Sequence, residues 1–297
     1  MPLNLFHQLD PLAGAGYNYA MPSLSNTPQQ DSLLFLKLGG SLITDKAKPY
    51  SAQSEVISRL VAEIAAFQKS HPHRRMVLGH GSGSFGHTSA EKYQTRKGVH
   101  TPEDWRGFVK VHQDARRLHQ RVLGSLSNAG IPAVSFPPSS SVTAHQRRIT
   151  AWNLQPLQAA LSQGMLPVIH GDVVFDTAIG GTILSTEELF HYLALALNPD
   201  RILLVGKDAG VWADFPACTT VREVITPEDL SALGDSLSAS ASPDVTGGME
   251  EKVKEMLKLI QLRPQLEVLI FSGMEAGQLG RALTGGSPGT RLHQPPA

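Results

Sequence analysis

Short apolar runs that stop on glycine alternate along this chain with longer stretches of helical apolar spacing, and few folds accept that alternation. The first run, Leu33-Leu34-Phe35-Leu36-Lys37-Leu38, ends at Gly39-Gly40, as a strand buried on both faces does when it enters a tight loop. Residues 54–68 then place Val56, Ile57, Leu60, Val61, Ile64 and Phe67 at helical intervals, and Met76-Val77-Leu78 begins a second strand ahead of another glycine-rich loop. Residues 103–128 form the longest periodic stretch, through Trp105, Phe108, Val109, Ala115, Leu118, Val122 and Leu126, with Thr101-Pro102 as N-cap and first turn. Strand-like runs follow at 133–136, 167–169, 202–205 and 268–271, separated by helical segments near 152–163, 186–197, 250–262 and 275–283. This order predicts an α/β fold with a mostly parallel central sheet.

Composition narrows the class of partner. With 26 Lys+Arg against 26 Asp+Glu in 297 residues, the chain lacks the basic surplus of a nucleic-acid or membrane-surface binder, and 41% hydrophobic residues exceed what a disordered chain carries. The single Cys218 forms no internal disulfide, no window of about 18 apolar residues reads as a membrane span, and residues 1–30 do not read as a signal peptide. The expectation is a cytoplasmic protein that binds neither nucleic acid nor membrane. Residues 1–30 read as a loosely ordered extension, Pro199-Asp200 as a seam between lobes at 31–198 and 199–297, and the Ser- and Ala-rich stretch at 231–243 as a surface loop.

Two glycine loops at strand ends carry the chemistry, because ligands of a parallel sheet sit beyond its carboxyl edge, where backbone N–H groups and helix N-termini meet anions. Gly81-Ser82-Gly83-Ser84-Phe85-Gly86-His87-Thr88 satisfies G-x-G-x-x-G and stands one residue from a Walker A loop, with His87 in place of the lysine. A dinucleotide site wants an acid closing a second strand about 20 residues on, where this chain starts a helix instead, and a neutral imidazole does not replace the Walker ammonium. Backbone donors with a titratable His at the end do suit a phosphate monoester. In the other loop, Lys37 lies inside a buried strand, which requires either an anion or an edge face from which it reaches water. Lys46 follows past Ser41 and Thr44, as a phosphate ligand or a solvated loop charge.

Four segments in fixed order settle a family likeness. Lys37-Leu38-Gly39-Gly40-Ser41 with Thr44 and Lys46, His80 through His87, Pro167 through Val173, and Asp244-Val245-Thr246-Gly247-Gly248-Met249 with Lys252 together resemble the amino acid kinase superfamily. Within it they resemble the isopentenyl phosphate kinases, on the strength of the Gly-Ser-Phe-Gly-His ending. The resemblance covers residues from about 33 to 292. It implies an open αβα sandwich with an acceptor lobe followed by a nucleotide lobe, ATP and Mg2+ as co-substrate and cofactor, isopentenyl phosphate as acceptor, and a homodimer. By the same resemblance Lys37, Leu38, Gly39, Gly40 and Ser41 would hold the ATP phosphates, and Lys46 would stabilise the transferring phosphoryl group. Ser82 and Gly83 would supply donors between the reactants, His87 would grip the acceptor phosphate, and Gly171 would lie against it. Gly248 would approach the nucleotide and Lys252 its β- and γ-phosphates.

The chain departs from the family pattern at three places. Gly206-Lys207-Asp208-Ala209-Gly210-Val211-Trp212 replaces a Thr-Asp-x-Asp-Gly-Val-Tyr type of segment, which moves the expected nucleoside contact to Lys207 with Asp208 beside it. Ser185-Thr186-Glu187-Glu188 stands for a Ser-Gly-Asp-Asp type and reads as a helix capping box from Ser185 to Glu188. Ser82 replaces a smaller residue. Asp172 either orients a lysine or a magnesium-bound water or caps its turn. His112 and His119 read as surface or partly buried, Trp105, Phe108 and Val109 as core, and no residues show the close spacing of a zinc site. Val99 or Phe136, with the long helix, would line a pocket for a short isoprenoid tail. Rival expectations are a kinase of another small phosphate or phosphonate such as fosfomycin, and a nucleotide-binding regulator without turnover.

Overall fold

The computed structural model describes residues 32–45, 47–230 and 248–295. The expectations for the extension at 1–30, for Lys46, for the loop at 231–243 and for Asp244 through Gly247 therefore lie outside the described residues.

Leu33–Leu38 (β1), Arg75–His80 (β2), Ala133–Ser135 (β3), Leu166–His170 (β6), Arg201–Gly206 (β9), Val224–Ile225 (β10), Glu267–Ser272 (β11) and Thr290–Leu292 (β12) build one sheet in the order β10-β12-β11-β9-β1-β2-β6-β3. Every pairing is parallel except β11 with β12. β1 is central, so both its faces are covered: Leu33 and Phe35 join one buried apolar cluster, while Leu34, Leu36 and Leu38 join the other. The first face packs against Thr186–Leu197 (α6) and Gly248–Leu262 (α7), the second against Ser54–Ser70 (α2) and Pro102–Asn128 (α4), while the short Gly40–Ile43 (α1) follows β1 and Gln155–Ser162 (α5) precedes β6. Helices on both sides of a parallel sheet are what the continuous apolar strands demand.

The 27 residues of α4 span about 40 Å at 1.5 Å per residue. Its start follows the predicted cap, with Asp104 N–H donating to Thr101 Oγ1 at 3.2 Å, Thr101 N–H donating to the Asp104 carboxylate at 2.8 Å, and Pro102 in the first turn. Two expectations on this helix need correction. Val109, read as core, is 50% exposed, and His119, read as a surface or partly buried His, is 2% exposed because it turns toward the sheet with Leu118 and Val122.

A second sheet, absent from the sequence pattern, has the order β5-β4-β7-β8 and comprises Val142–His145 (β4), Arg148–Trp152 (β5), Asp172–Asp176 (β7) and Gly180–Leu184 (β8). The β4–β5 turn puts Gln146 and Arg147 at φ 49° and 65°, which such a turn normally meets with Asn or Gly. Here the Asp176 carboxylate clamps it, accepting from Gln146 N–H at 3.1 Å and Arg147 N–H at 2.7 Å. The glycine run from Gly81, read as a loop through Thr88, is also shorter than expected, since a helix, Gly83–Tyr93 (α3), begins at its second glycine.

Candidate active site

β1, β2, β6 and β9 all point their carboxyl ends at one cavity of about 550 Å³, a volume suited to small-molecule ligands. Its wall includes Lys37, Gly39, Gly40, Ser41, Ser82, His87, Gly171, Lys207, Asp208, Gly248 and Lys252. Eleven predicted site residues from all parts of the chain therefore share one concavity. Leu38 and Gly83 do not face it. Leu38 is fully buried in the core, and Gly83 lies behind the wall, packed against Gly40.

The two glycine loops interlock backbone to backbone. A Cβ on Gly40 would stand 2.5 Å from the Gly83 nitrogen, and Gly83 itself has φ 49°, so neither position admits a side chain without moving the loops. Thr44 fastens the two, its Oγ1 donating to the Gly40 carbonyl at 2.7 Å and accepting from Ser84 N–H at 3.0 Å. Gly39 N–H donates to the Val205 carbonyl at 2.7 Å and Gly81 N–H to the Leu38 carbonyl at 3.1 Å, which ties both loops to the strand ends. α6 and α7 both begin at this cavity, at Thr186 and Gly248. Two helix N-termini at one volume bring the positive ends of two dipoles to it, an environment that suits a polyphosphate.

Lys37 meets an anion inside the protein. It is 8% exposed and paired with Glu187, itself 7% exposed, on the second position of α6. Burial would raise the Glu187 pKa, but the positive charges of Lys37 and Lys252 outweigh it and hold the carboxyl below its ordinary value. The capping box read at Ser185 is present, Glu188 N–H donating to Ser185 Oγ at 3.1 Å, so the helix start that seats Glu187 is fixed by its own sequence. Glu187 was not among the predicted site residues. The signal for it was the buried lysine, whose need for a countercharge named the chemistry without naming the partner.

Arg96 and Arg147 also line the cavity and were not anticipated. Arg96 reaches Glu188 at 3.3 Å and Glu251 at 3.5 Å, and Arg147 reaches Glu188 at 3.5 Å. The wall thus offers cations already oriented by carboxylates rather than a uniformly positive surface. Next to it lies a small apolar cluster of Ala90, Val99, Phe108, Val111, Val173 and Ile183, with Trp105 packed on it, and Ile183 belongs to both cluster and cavity. Asp172, which the sequence left between two roles, is buried and accepts from Val173 N–H at 2.9 Å, with His112 Nδ1 3.3 Å from its carboxylate. Phe136 packs elsewhere, on the cluster that faces α6.

A cavity beyond the carboxyl ends of a parallel sheet, with interlocked glycine loops and lysines from three segments on its wall, is the arrangement of a phosphotransferase of the amino acid kinase type. The chain belongs to that family, the amino acid kinase family model matching residues 32–272, and within it to the isopentenyl phosphate kinases. It is 32% identical over 270 residues to the isopentenyl phosphate kinase of Methanothermobacter thermautotrophicus, covering 88% of this chain and 98% of that one. To the enzyme of the same name from Haloferax volcanii it is 33% identical, covering 77% and 88%. Among solved structures, an isopentenyl phosphate kinase aligns with a TM-score of 0.73 at 30% identity, over 88% of this chain and 99% of the other. An N-acetylglutamate synthase from Neisseria gonorrhoeae shares the fold at 17% identity and a TM-score of 0.63.

Proposed function

We propose that the cavity phosphorylates isopentenyl phosphate with ATP, giving isopentenyl diphosphate and ADP. The observation that carries this is the position of His87 and Gly171 on the same wall as Lys37 and Lys252, beside an apolar cluster that reaches the cavity through Ile183. An acceptor with a phosphate head and a short hydrocarbon tail matches that sequence of surfaces, polar first and apolar behind.

The acceptor already carries an ionised phosphate, so one of its oxygens attacks the γ-phosphorus without a strong general base, and the bond from that phosphorus to the β–γ bridging oxygen breaks as ADP leaves. Charge neutralisation and in-line placement then supply most of the rate. Residues 31–198 form the acceptor half, where His87, on the second turn of α3, holds the acceptor phosphate and Ser82 and Gly83 shape the turn between the reactants. Residues 199–297 form the nucleotide half, where Lys252 and Gly248 meet the phosphates and Lys207 and Asp208 lie on the nucleoside side. Lys37, with Glu187 fixing its ammonium, and Lys46 serve the transferring group. The carboxylates on the wall, such as Asp208 and Glu250, would hold Mg2+ together with the ATP phosphates, where the ion would neutralise phosphate charge. A cytoplasmic homodimer completes the proposal. Among the described residues no helix is long and apolar enough to cross a membrane.

The test is ADP release with Mg2+–ATP against isopentenyl phosphate, dimethylallyl phosphate, fosfomycin and mevalonate phosphate. Turnover with isopentenyl phosphate is expected, and His87→Ala is expected to lower kcat/KM for the acceptor about 100-fold or more while leaving ATP affinity within about threefold. No release with any acceptor would overturn the kinase reading, and a preference for fosfomycin would redirect it.

A further inference from the structure

On the sheet face opposite Lys37, three imidazoles gather that phosphoryl transfer does not use. His80 ends β2 and His170 ends β6, partners in register, and His119 comes down on them from the middle of α4. Their exposures are 0%, 1% and 2%. The rings stack, with centroids 4.1 Å apart for His119 and His170, 5.2 Å for His80 and His119, and 5.5 Å for His80 and His170.

Two of the three are hydrogen-bonded. His80 Nδ1 lies 3.0 Å from the Gly81 carbonyl, which only an N–H can satisfy, so His80 Nε2 is the bare nitrogen. That nitrogen lies 2.9 Å from His119 Nδ1, which must donate, leaving His119 Nε2 to accept from Ser135 Oγ at 2.7 Å. His170 is different. Neither ring nitrogen has a hydrogen-bond partner among the described residues, the nearest carboxylate oxygen being Asp172 Oδ2 at 3.5 Å from Nε2. A buried imidazole with two orphaned nitrogens is costly unless something meets it.

We propose that His80, His119 and His170 bind one first-row divalent transition metal ion, with Zn2+ the best match, as a structural site separate from the phosphate cavity. The three donate one nitrogen each from points already within 4.8 Å of one another, the one such group of three among the described residues. Zn–N bonds of about 2.0–2.1 Å require nitrogens about 3.3 Å apart, so binding would open the 2.9 Å His80–His119 pair slightly and draw His170 in by side-chain rotation. Burial holds the His80 pKa at about 4, that of His119 at about 3 and that of His170 well below its ordinary value, so all three offer lone pairs rather than charge at neutral pH. No proton need leave on binding. Shifting the His119 proton from Nδ1 to Nε2, with Ser135 turning from donor to acceptor, bares both facing nitrogens at once. Two outer partners are then in place, the Gly81 carbonyl for His80 and Ser135 for His119, and Asp172 Oδ2 stands 3.5 Å from His170 Nε2, close enough to become the third. His119 and His170 open on a second cavity of about 480 Å³, lined also by Gln120, Ser139 and Ser140, which gives the ion an entry path and a fourth ligand from water.

Such an ion would tie α4 and β6 to the strand end that carries the phosphate loop, since the His80 carbonyl also accepts from Gly171 N–H at 3.1 Å and Thr186 Oγ1 at 2.8 Å. The experiment titrates chelator-stripped full-length protein with Zn2+ against a chromophoric chelator, and with Co2+ while recording visible absorption and the proton spectrum. One Zn2+ per chain is expected, with a Co2+ band of four-coordinate intensity and hyperfine-shifted imidazole N–H signals. His119→Asn and His170→Asn are each expected to weaken binding about 100-fold or more, whereas His87→Asn keeps the stoichiometry. Sub-stoichiometric binding, or Asn variants that bind as the parent does, would overturn the proposal. If a variant fails to fold, the Co2+ spectra of the unmutated chain decide the matter, because a complex without imidazole signals excludes the site. None of these readouts depends on acceptor turnover, so failure here leaves the kinase reading standing.

Discussion

The two faces of the sheet bury ionisable groups one strand position apart and handle them in opposite ways. On the α6 face, Lys37 is buried in a pair with the Glu187 carboxylate. On the α4 face, one row further along, His80 and His170 lie side by side in register and remain neutral. An ammonium or carboxylate is too costly to bury alone, so it survives only as a pair, whereas an imidazole loses its proton within the ordinary pH range and is buried by shedding charge. The difference separates the face that carries the cavity lysine from the face that carries the stacked imidazoles. It also predicts that the two fail for different reasons.

The largest effect is expected from breaking the charged pair. Lys37→Met leaves the Glu187 carboxylate buried beside Lys252 alone, and loss of roughly 3–5 kcal/mol of stability is expected, read from the denaturation midpoint. Turnover should fall about 100-fold or more with it. Lys37→Met combined with Glu187→Leu replaces the pair by apolar volume and should recover most of the stability while recovering none of the turnover. If the double variant regained activity, Lys37 would be a structural residue and the functional contrast between the faces would disappear.

A second effect, of intermediate size, lies in the acid limb of stability, measured on chelator-stripped protein. His80 and His119 titrate near 6.5 in the unfolded chain but at about 4 and about 3 when folded, chiefly through burial. The unfolded chain therefore binds more protons as pH falls from 6.5 toward 4, and stability drops across that window. Each such imidazole contributes a slope of about 1.4 kcal/mol per pH unit, so His119→Asn should flatten the curve by about that much. Glu187, whose folded pKa is depressed below 4.5, contributes stability that is present above 4.5 and lost only as pH falls further. Glu187→Gln should accordingly leave the slope between pH 6 and 5 unchanged. Equal responses of the two variants in that interval would erase the distinction.

How far this contrast was legible in the sequence depends on the range over which each feature is encoded. β1, the cap at Thr101 and the box at Ser185 are local patterns, visible because apolar alternation and capping chemistry act over a few residues. The glycine loops were legible for the same reason, since close backbone approach writes itself as glycine in place. α3 was hidden by two glycines in its first turn, and its start is held instead by Thr44, 40 residues earlier. The second sheet was hidden because its turn at Gln146 and Arg147 lacks glycine and is clamped by Asp176 from 30 residues away. Glu187 lies 150 residues from Lys37, and the three histidines arrive from two strands and a helix, so no spacing rule reaches either group.

The smallest predicted effect tests whether environment or residue type sets the sign. His112 and His119 stand seven apart on α4, two turns along the same side, yet they meet different neighbours. His119 faces the imidazoles of His80 and His170, and burial lowers its pKa. His112 is about one-third exposed and lies against the Asp172 carboxylate, whose hydrogen bond raises its pKa against the opposing effects of partial burial and Arg116. A raised folded pKa contributes stability that is fully present below pH 6.5 and lost as pH rises through the folded value. His112→Asn should therefore destabilise by at most about 1 kcal/mol near pH 6, as expected for a solvent-screened pair, and by less at pH 9, where the parent has already lost the interaction. His119→Asn bends the same curve on its acid side and in the opposite sense. Two histidines on one helix would then titrate against stability in opposite directions, which places the sign in the surroundings, a carboxylate partner for one and burial for the other. A His112→Asn penalty that grew from pH 6 to 9 would show that Asp172 is held by something other than that imidazole.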